Sequence, residues 1–108
     1  MKQRLLIFIL VLLSAISANA YDAKIDGIYY DFNSSTKEAI VTSEIPMYGS
    51  SYTGSVTIPE TVTYNNVTYS VTEIGFGAFD ICYSLTSVTI PNSVKSIGTY
   101  AIIVFRDL

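Results

Sequence analysis

The chain has no histidine, no tryptophan, one cysteine and only six basic residues among 108. Each scarcity excludes something. Without His, the commonest general base and a common metal ligand are missing. Ser is plentiful, but no Ser sits in a nucleophile-elbow pattern and no His exists to activate one. A single cysteine, Cys82, cannot close an internal disulfide, and it reads as a small buried hydrophobe in a turn rather than a reactive thiol. Asp22, Asp26 and Asp31 recur near one another, but not at the tight alternate spacing that a calcium loop requires, and they read as solvated charges flanking a strand. Gly75-Phe76-Gly77 lacks the rest of any phosphate-binding fingerprint. No two carboxylates stand out as an acid pair. The expectation is a non-enzymatic chain with no catalytic residue, no metal and no cofactor.

Met1 to Ala20 supplies a large share of the apolar composition. Lys2 and Arg4 open it, Leu5 to Leu13 is an unbroken apolar run, and Ala18-Asn19-Ala20 is a small-x-small cleavage site. That order is a secretory signal peptide, and its apolar run is shorter than the roughly 20 residues of a membrane span. Beyond it, Lys24, Lys37, Lys95 and Arg106 face nine acidic residues, four against nine, a net charge of −5. Nucleic acid and anionic membranes both call for clustered Lys and Arg, so neither is an expected partner, and no membrane span is expected after cleavage.

The organising feature is a repeat. Val56-Thr57-Ile58-Pro59 returns as Val88-Thr89-Ile90-Pro91 at an offset of 32, and Val71-Thr72-Glu73-Ile74-Gly75 returns as Val94-Lys95-Ser96-Ile97-Gly98 at an offset of 23. The two offsets differ by nine, which places an insertion (residues 63–71) in the earlier copy. Apolar positions recurring at a period of roughly 20–29 residues mark a solenoid, in which each unit buries its face against its neighbours. Within Leu85-x-x-Val88-x-Ile90-x-x-Ser93 the strand-like alternation puts Val88 and Ile90 inward and Thr89 outward, and Pro91, with no N–H to donate, ends the strand. Ala78 to Cys82 is too short for a stable helix and reads as one helical or 3₁₀ turn. The expected repeat core is Val56, Ile58, Val71, Ile74, Ala78, Phe79, Cys82, Leu85, Val88, Ile90, Val94, Ile97 and Ala101.

Ile74 to Val94, Ile-Gly-x-x-Ala-Phe-x-x-Cys-x-x-Leu-Thr-Ser-Val-Thr-Ile-Pro-Asn-Ser-Val, resembles the BspA-like leucine-rich repeats of bacterial surface proteins. The resemblance covers Ser55 to Ala101. More loosely, Asp26 to Tyr30 and Thr63 to Tyr69 look like the region that often precedes such repeats. It implies an extracellular binding protein, of which some members adhere to host proteins or other cells, and it carries over no catalytic residue.

The expected fold is mainly β: a leucine-rich-repeat solenoid fragment of about 23-residue units with an N-terminal antiparallel β-hairpin cap. Residues 21–54 form the cap, in which Ile28 to Phe32 and Ala39 to Thr42 are the strands. Pro46 to Gly54 is a loop, Val62 to Tyr69 a second hairpin turning at Asn65-Asn66, and residues 55–108 the repeats, with an incomplete last unit from Ala101. Ala101 to Phe105 has neither charge nor Pro and is an aggregation hazard if exposed, so self-association through the C-terminal repeat edge is a further expectation. For a ligand surface the candidates are the outward strand residues Ser55, Thr57, Thr86, Ser87 and Thr89, with Tyr48 and Tyr52 from the loop. The expected function is a secreted or cell-surface module that binds an extracellular protein or cell-surface ligand. The alternative is a truncated capping fragment of a longer repeat protein with no activity of its own.

Overall fold

The computed structural model describes residues 21–44 and 52–102, and these form strands and turns with no helix among them. Tyr48, the leader 1–20 and residues 103–108, which hold most of the expected association edge, lie outside the described residues. Within the described residues the strands run in order: β1 Ala23–Ile25, β2 Ile28–Asn33, β3 Glu38–Thr42, β4 Gly54–Thr57, β5 Thr61–Tyr64, β6 Val67–Ile74, β7 Leu85–Thr89 and β8 Ser96–Ile97.

Local chemistry makes the hairpins. Asp26 and Gly27 both take positive φ (51° and 84°) between β1 and β2, and Asn65 and Asn66 do so (51° and 65°) between β5 and β6. Two successive left-handed residues give the tight turn whose twist matches paired strands, and Gly, Asn and Asp adopt it at least cost. Between β2 and β3 the Asn33 side chain accepts hydrogen bonds from the Ser35 and Thr36 N–H groups (3.0 and 3.1 Å), closing an Asx turn.

The two sequence offsets reappear as ladder registers. β4 pairs with β7 in parallel, Val56 opposite Val88 and Thr57 opposite Thr89, reproducing the longer offset. β6 pairs with β8 in parallel, Glu73 opposite Ser96 and Ile74 opposite Ile97, reproducing the shorter one. A parallel bridge between Phe79 and Ile102 repeats the shorter offset at a third side of the coil. The extra nine residues are absorbed by β5 and the first half of β6, which pair antiparallel from Thr61 opposite Ser70 to Tyr64 opposite Val67. The insertion forms the expected hairpin turning at Asn65-Asn66, and its second arm runs on without a break into the repeat strand.

β3 joins the solenoid as though it were an earlier unit. It lies parallel to β6, with Ala39 opposite Val71 and Val41 opposite Ile74. The Gly75 N–H donates to the Val41 carbonyl at 2.7 Å, as the Gly98 N–H does to the Ile74 carbonyl at 2.7 Å. The order β1-β2-β3-β6-β5, with β8 also on β6, is thus one six-stranded sheet, while β4 and β7 form a second sheet.

The core lies between these sheets. Ile58, Val71, Ile74, Ala78, Phe79, Cys82, Leu85 and Ala101 are buried, and Val56, Val88 and Val94 are half-buried against them. Ile90 and Ile97 depart from the expected core, being 36% and 54% exposed. The reason is positional. Their equivalents one unit earlier, Ile58 and Ile74, are 2% and 0% exposed because a further layer stacks on them, whereas β8 and the end of β7 belong to the last described layer. Ala78 to Cys82 is not a helical turn. Short turns close from Ala78 N–H to the Gly75 carbonyl and from Asp80 N–H to the Gly77 carbonyl, but Gly77 and Ile81 at φ 67° and 54° keep the chain from continuing helically. Tyr100, the equivalent of Gly77 one unit later, takes the same conformation at φ 58°, so the repeat keeps a backbone shape even where it does not keep glycine.

Close stacking explains the repeated glycine. A Cβ on Gly98 would sit 2.8 Å from the Phe76 nitrogen and 3.1 Å from the Gly75 carbonyl carbon, and a Cβ on Gly75 would sit 3.1 Å from the Val41 oxygen. Backbone, unlike a side-chain tip, cannot swing aside. Gly98→Ala is expected to destabilise the fold by about 1–3 kcal/mol, the usual cost of overpacking. The exposed control Thr99→Ala should stay within about 0.5 kcal/mol. Urea unfolding of both variants checks this.

Candidate interaction surface

The outer side of the β4–β7 sheet assembles five of the seven residues proposed for a ligand surface. Ser55, Thr57, Thr86, Ser87 and Thr89 are all exposed. Alternation along each strand puts Val56 and Val88 on the core side and leaves the hydroxyl residues outward. The ladder then aligns them in ranks, Ser55 opposite Ser87 and Thr57 opposite Thr89. The Ser87 hydroxyl donates to the Ser55 hydroxyl at 3.0 Å. Thr86 is the extra residue where the register shifts between Gly54 and Ser55, so it projects from a bulge beside the ranks. The result is an uncharged, hydroxyl-rich strip on a rigid two-strand ladder. Such a strip offers hydrogen-bond donors and acceptors but no acid, base or nucleophile in an activated setting.

Tyr52 does not belong to this surface. It is 4% exposed, and its hydroxyl accepts from the Tyr29 N–H at 2.9 Å and donates to the Thr42 carbonyl at 2.7 Å. Its ring packs on Phe79 with centroids 4.6 Å apart and on Tyr29 at 5.7 Å. A tyrosine placed between two backbone groups of the cap and the first repeat buries its ring and satisfies its hydroxyl at once. Burial pushes the Tyr52 phenol well above the ordinary tyrosine range, and burial first, then the Asp26 charge, raises Tyr30 to about 12. Both are protonated at neutral pH. Most of the remaining aromatic residues of the cap and first repeat also pack inward: Phe32 lies 4.9 Å from Tyr64 and 4.4 Å from Tyr69 between ring centroids.

The Asp31 carboxyl binds its proton more tightly than an ordinary aspartate. Burial, followed by the neighbouring Asp22 charge, raises its pKa, and the hydrogen bonding from Asp22 opposes the shift. A raised acid binds its proton more tightly in the folded chain, so this group favours folding more as pH falls through its folded pKa toward the ordinary carboxylate value. Cys82 is buried, with its thiol directed to the Asp80 carbonyl at 3.7 Å, which fits a turn residue and not a nucleophile. Among the described residues no group of three His, Cys, Asp or Glu is placed to hold a metal ion.

A mainly β solenoid of stacked parallel strands, with each repeat contacting its neighbours, is the class of protein that this fold defines. The family model described as the BspA type leucine rich repeat region (6 copies) matches residues 47–104, and the chain belongs to that family. Among solved structures, a leucine-rich repeat protein from Bacteroides ovatus is 34% identical with a TM-score of 0.63, over 75% of this chain and 20% of that one. The chain thus spans about a fifth of that protein's length. No curated protein matches it.

Tyr52→Phe removes one hydroxyl and leaves a buried N–H and a buried carbonyl without their partner. The expected loss is about 1–3 kcal/mol with little change in the far-ultraviolet spectrum, read by thermal unfolding.

Proposed function

We propose that the chain acts as an exported repeat module that binds protein through the outer face of β4 and β7, by surface complementarity and without catalysis. The observation that carries this reading is the aligned hydroxyl strip of Ser55, Thr57, Thr86, Ser87 and Thr89 on a rigid ladder. Stacked strand faces are the extended surfaces that solenoids present to ligands, and membership of a leucine-rich repeat family supports a protein-interaction role. The Lys2 to Ala20 leader pattern supports export, to a secreted or cell-surface location where an adhesive role fits. No helix of the described residues is long and apolar enough to cross a membrane.

A second reading is favoured by the exposure of Ile90 and Ile97, whose equivalents one unit earlier are buried. In that reading the chain serves as the capped start of a larger stack, and these residues meet a further repeat or a second copy. The two readings differ in what a surface charge does. Thr89→Lys alters the hydroxyl strip without touching the core. If the strip binds, attachment of the labelled full chain to cultured cells should fall about tenfold, whereas unchanged attachment would count against the strip.

A further inference from the structure

The cap covers the two ladders unequally. β3 lies along β6 and continues that ladder backwards by one strand, but among the described residues no strand lies on the other side of β4. The Ile58 N–H donates to the Thr89 carbonyl at 3.0 Å, so Ile58 and Val56 direct their backbone groups toward β7. Successive residues of a strand alternate in this respect, so Ser55 and Thr57 direct their N–H and C=O groups away from β7, toward the unpaired edge.

That edge faces open space of a defined shape. A cleft of about 330 Å³ is lined by Ser55 and Val56 and by Lys24, Asp26 and Ile28. A second, of about 420 Å³, is lined by Thr57 and Pro59, by Ile25, Asp26, Ile28 and Tyr30 of the cap, and by Thr61 to Thr63 of β5. Asp26 and Ile28 line both clefts, which between them follow the chain from Ser55 to Pro59 as a groove beside β4. A neighbouring strand needs about 4.8 Å of lateral separation, and β3 on β6 shows that this solenoid layer takes a strand at the equivalent side. The charge differs along the groove: Asp26 is the one charged residue lining the second cleft, whereas in the first it is joined by Lys24, whose ammonium lies over the Tyr29 ring, 5.2 Å from the centroid.

We propose that this groove is a strand-acceptor site, in which an extended segment of a partner protein pairs with the backbone of Ser55 and Thr57 and sets a Lys or Arg against Asp26. Main-chain pairing supplies the affinity and the acidic turn the preference. The site adjoins the hydroxyl strip but does not depend on it, since it uses the backbone edge of β4 and not the outer face of β7.

Solution NMR on the full chain tests this with a capped heptapeptide, Thr-Val-Thr-Lys-Thr-Val-Thr, as the probe. In the free protein the Ser55 and Thr57 amides should exchange rapidly and the Val56 amide slowly. On adding the peptide to millimolar concentration the Ser55 and Thr57 amides should shift and become protected. Replacing the central Lys of the peptide by Glu should weaken binding about threefold at low salt, as for an exposed ion pair. Asp26→Asn, which keeps the left-handed turn, should abolish that preference, and the exposed Thr99→Ala should leave binding unchanged. Protection of the Ser55 and Thr57 amides before peptide is added would overturn the proposal. So would an absence of shifts at these amides at millimolar peptide, or shifts confined to Thr86, Ser87 and Thr89, which would place binding on the strip instead.

Discussion

Backbone stacking in parallel layers is the constraint from which most of this structure follows. A strand that accepts the next layer must lie about 4.8 Å from it along its whole length, so whatever projects between the layers has to be small. Gly75 and Gly98 stand at the places where the chain of one layer crosses the backbone of another, and each donates its N–H to the layer below, to Val41 and to Ile74. Ala78 and Ala101 are buried at the equivalent turn, where Phe79 donates its N–H to the Ala101 carbonyl at 2.7 Å. Cross-links of this kind tie the layers together on three sides of the coil, and the side chains between them form the core.

A stack must also begin somewhere, and the cap solves this by imitation. β3 occupies the place of a preceding repeat strand against β6, although Ala39-Ile40-Val41-Thr42 comes from a hairpin and not from a repeat. Tyr52 then locks cap to repeat, through two backbone hydrogen bonds on one side and the Phe79 ring on the other. Among the described residues only one of the two ladders is capped in this way, and β4 keeps an open edge there. The outward side of the same β4–β7 pair carries hydroxyl residues and no charge. Surfaces available for binding thus arise from the way in which the stack is started, and no activated catalytic group is needed to account for them.

The repeat itself was legible because parallel stacking forces identical positions into register: the two offsets in the sequence became the Val56–Val88 and Ile74–Ile97 pairings. The turn at Asn65-Asn66 was legible from residue type alone. The first strand, β1, was missed although Asp26-Gly27 is a strong hairpin signal, because Ala23-Lys24-Ile25 is too short to stand out from its surroundings. The parallel pairing of β3 with β6 leaves no local trace, since it joins segments that are distant in sequence and share no motif. Tyr52 looked like a surface aromatic in a Gly- and Ser-rich loop, and only the fold reveals two buried backbone groups that need its hydroxyl. Ile90 and Ile97 carry the core pattern of their repeat, and their exposure depends on what stacks beyond them, which a residue's own neighbours in sequence do not specify.

The most direct measurement of this account is the through-hydrogen-bond scalar coupling between layers, recorded on isotopically labelled full chain. Couplings should link the Gly75 amide nitrogen to the Val41 carbonyl carbon, Gly98 to Ile74 and Lys95 to Thr72, as the 2.7 Å bonds between these groups require. Couplings displaced by one residue, or their absence while the antiparallel β5–β6 hairpin remains intact, would contradict the claim that β3, β6 and β8 are successive layers of one stack.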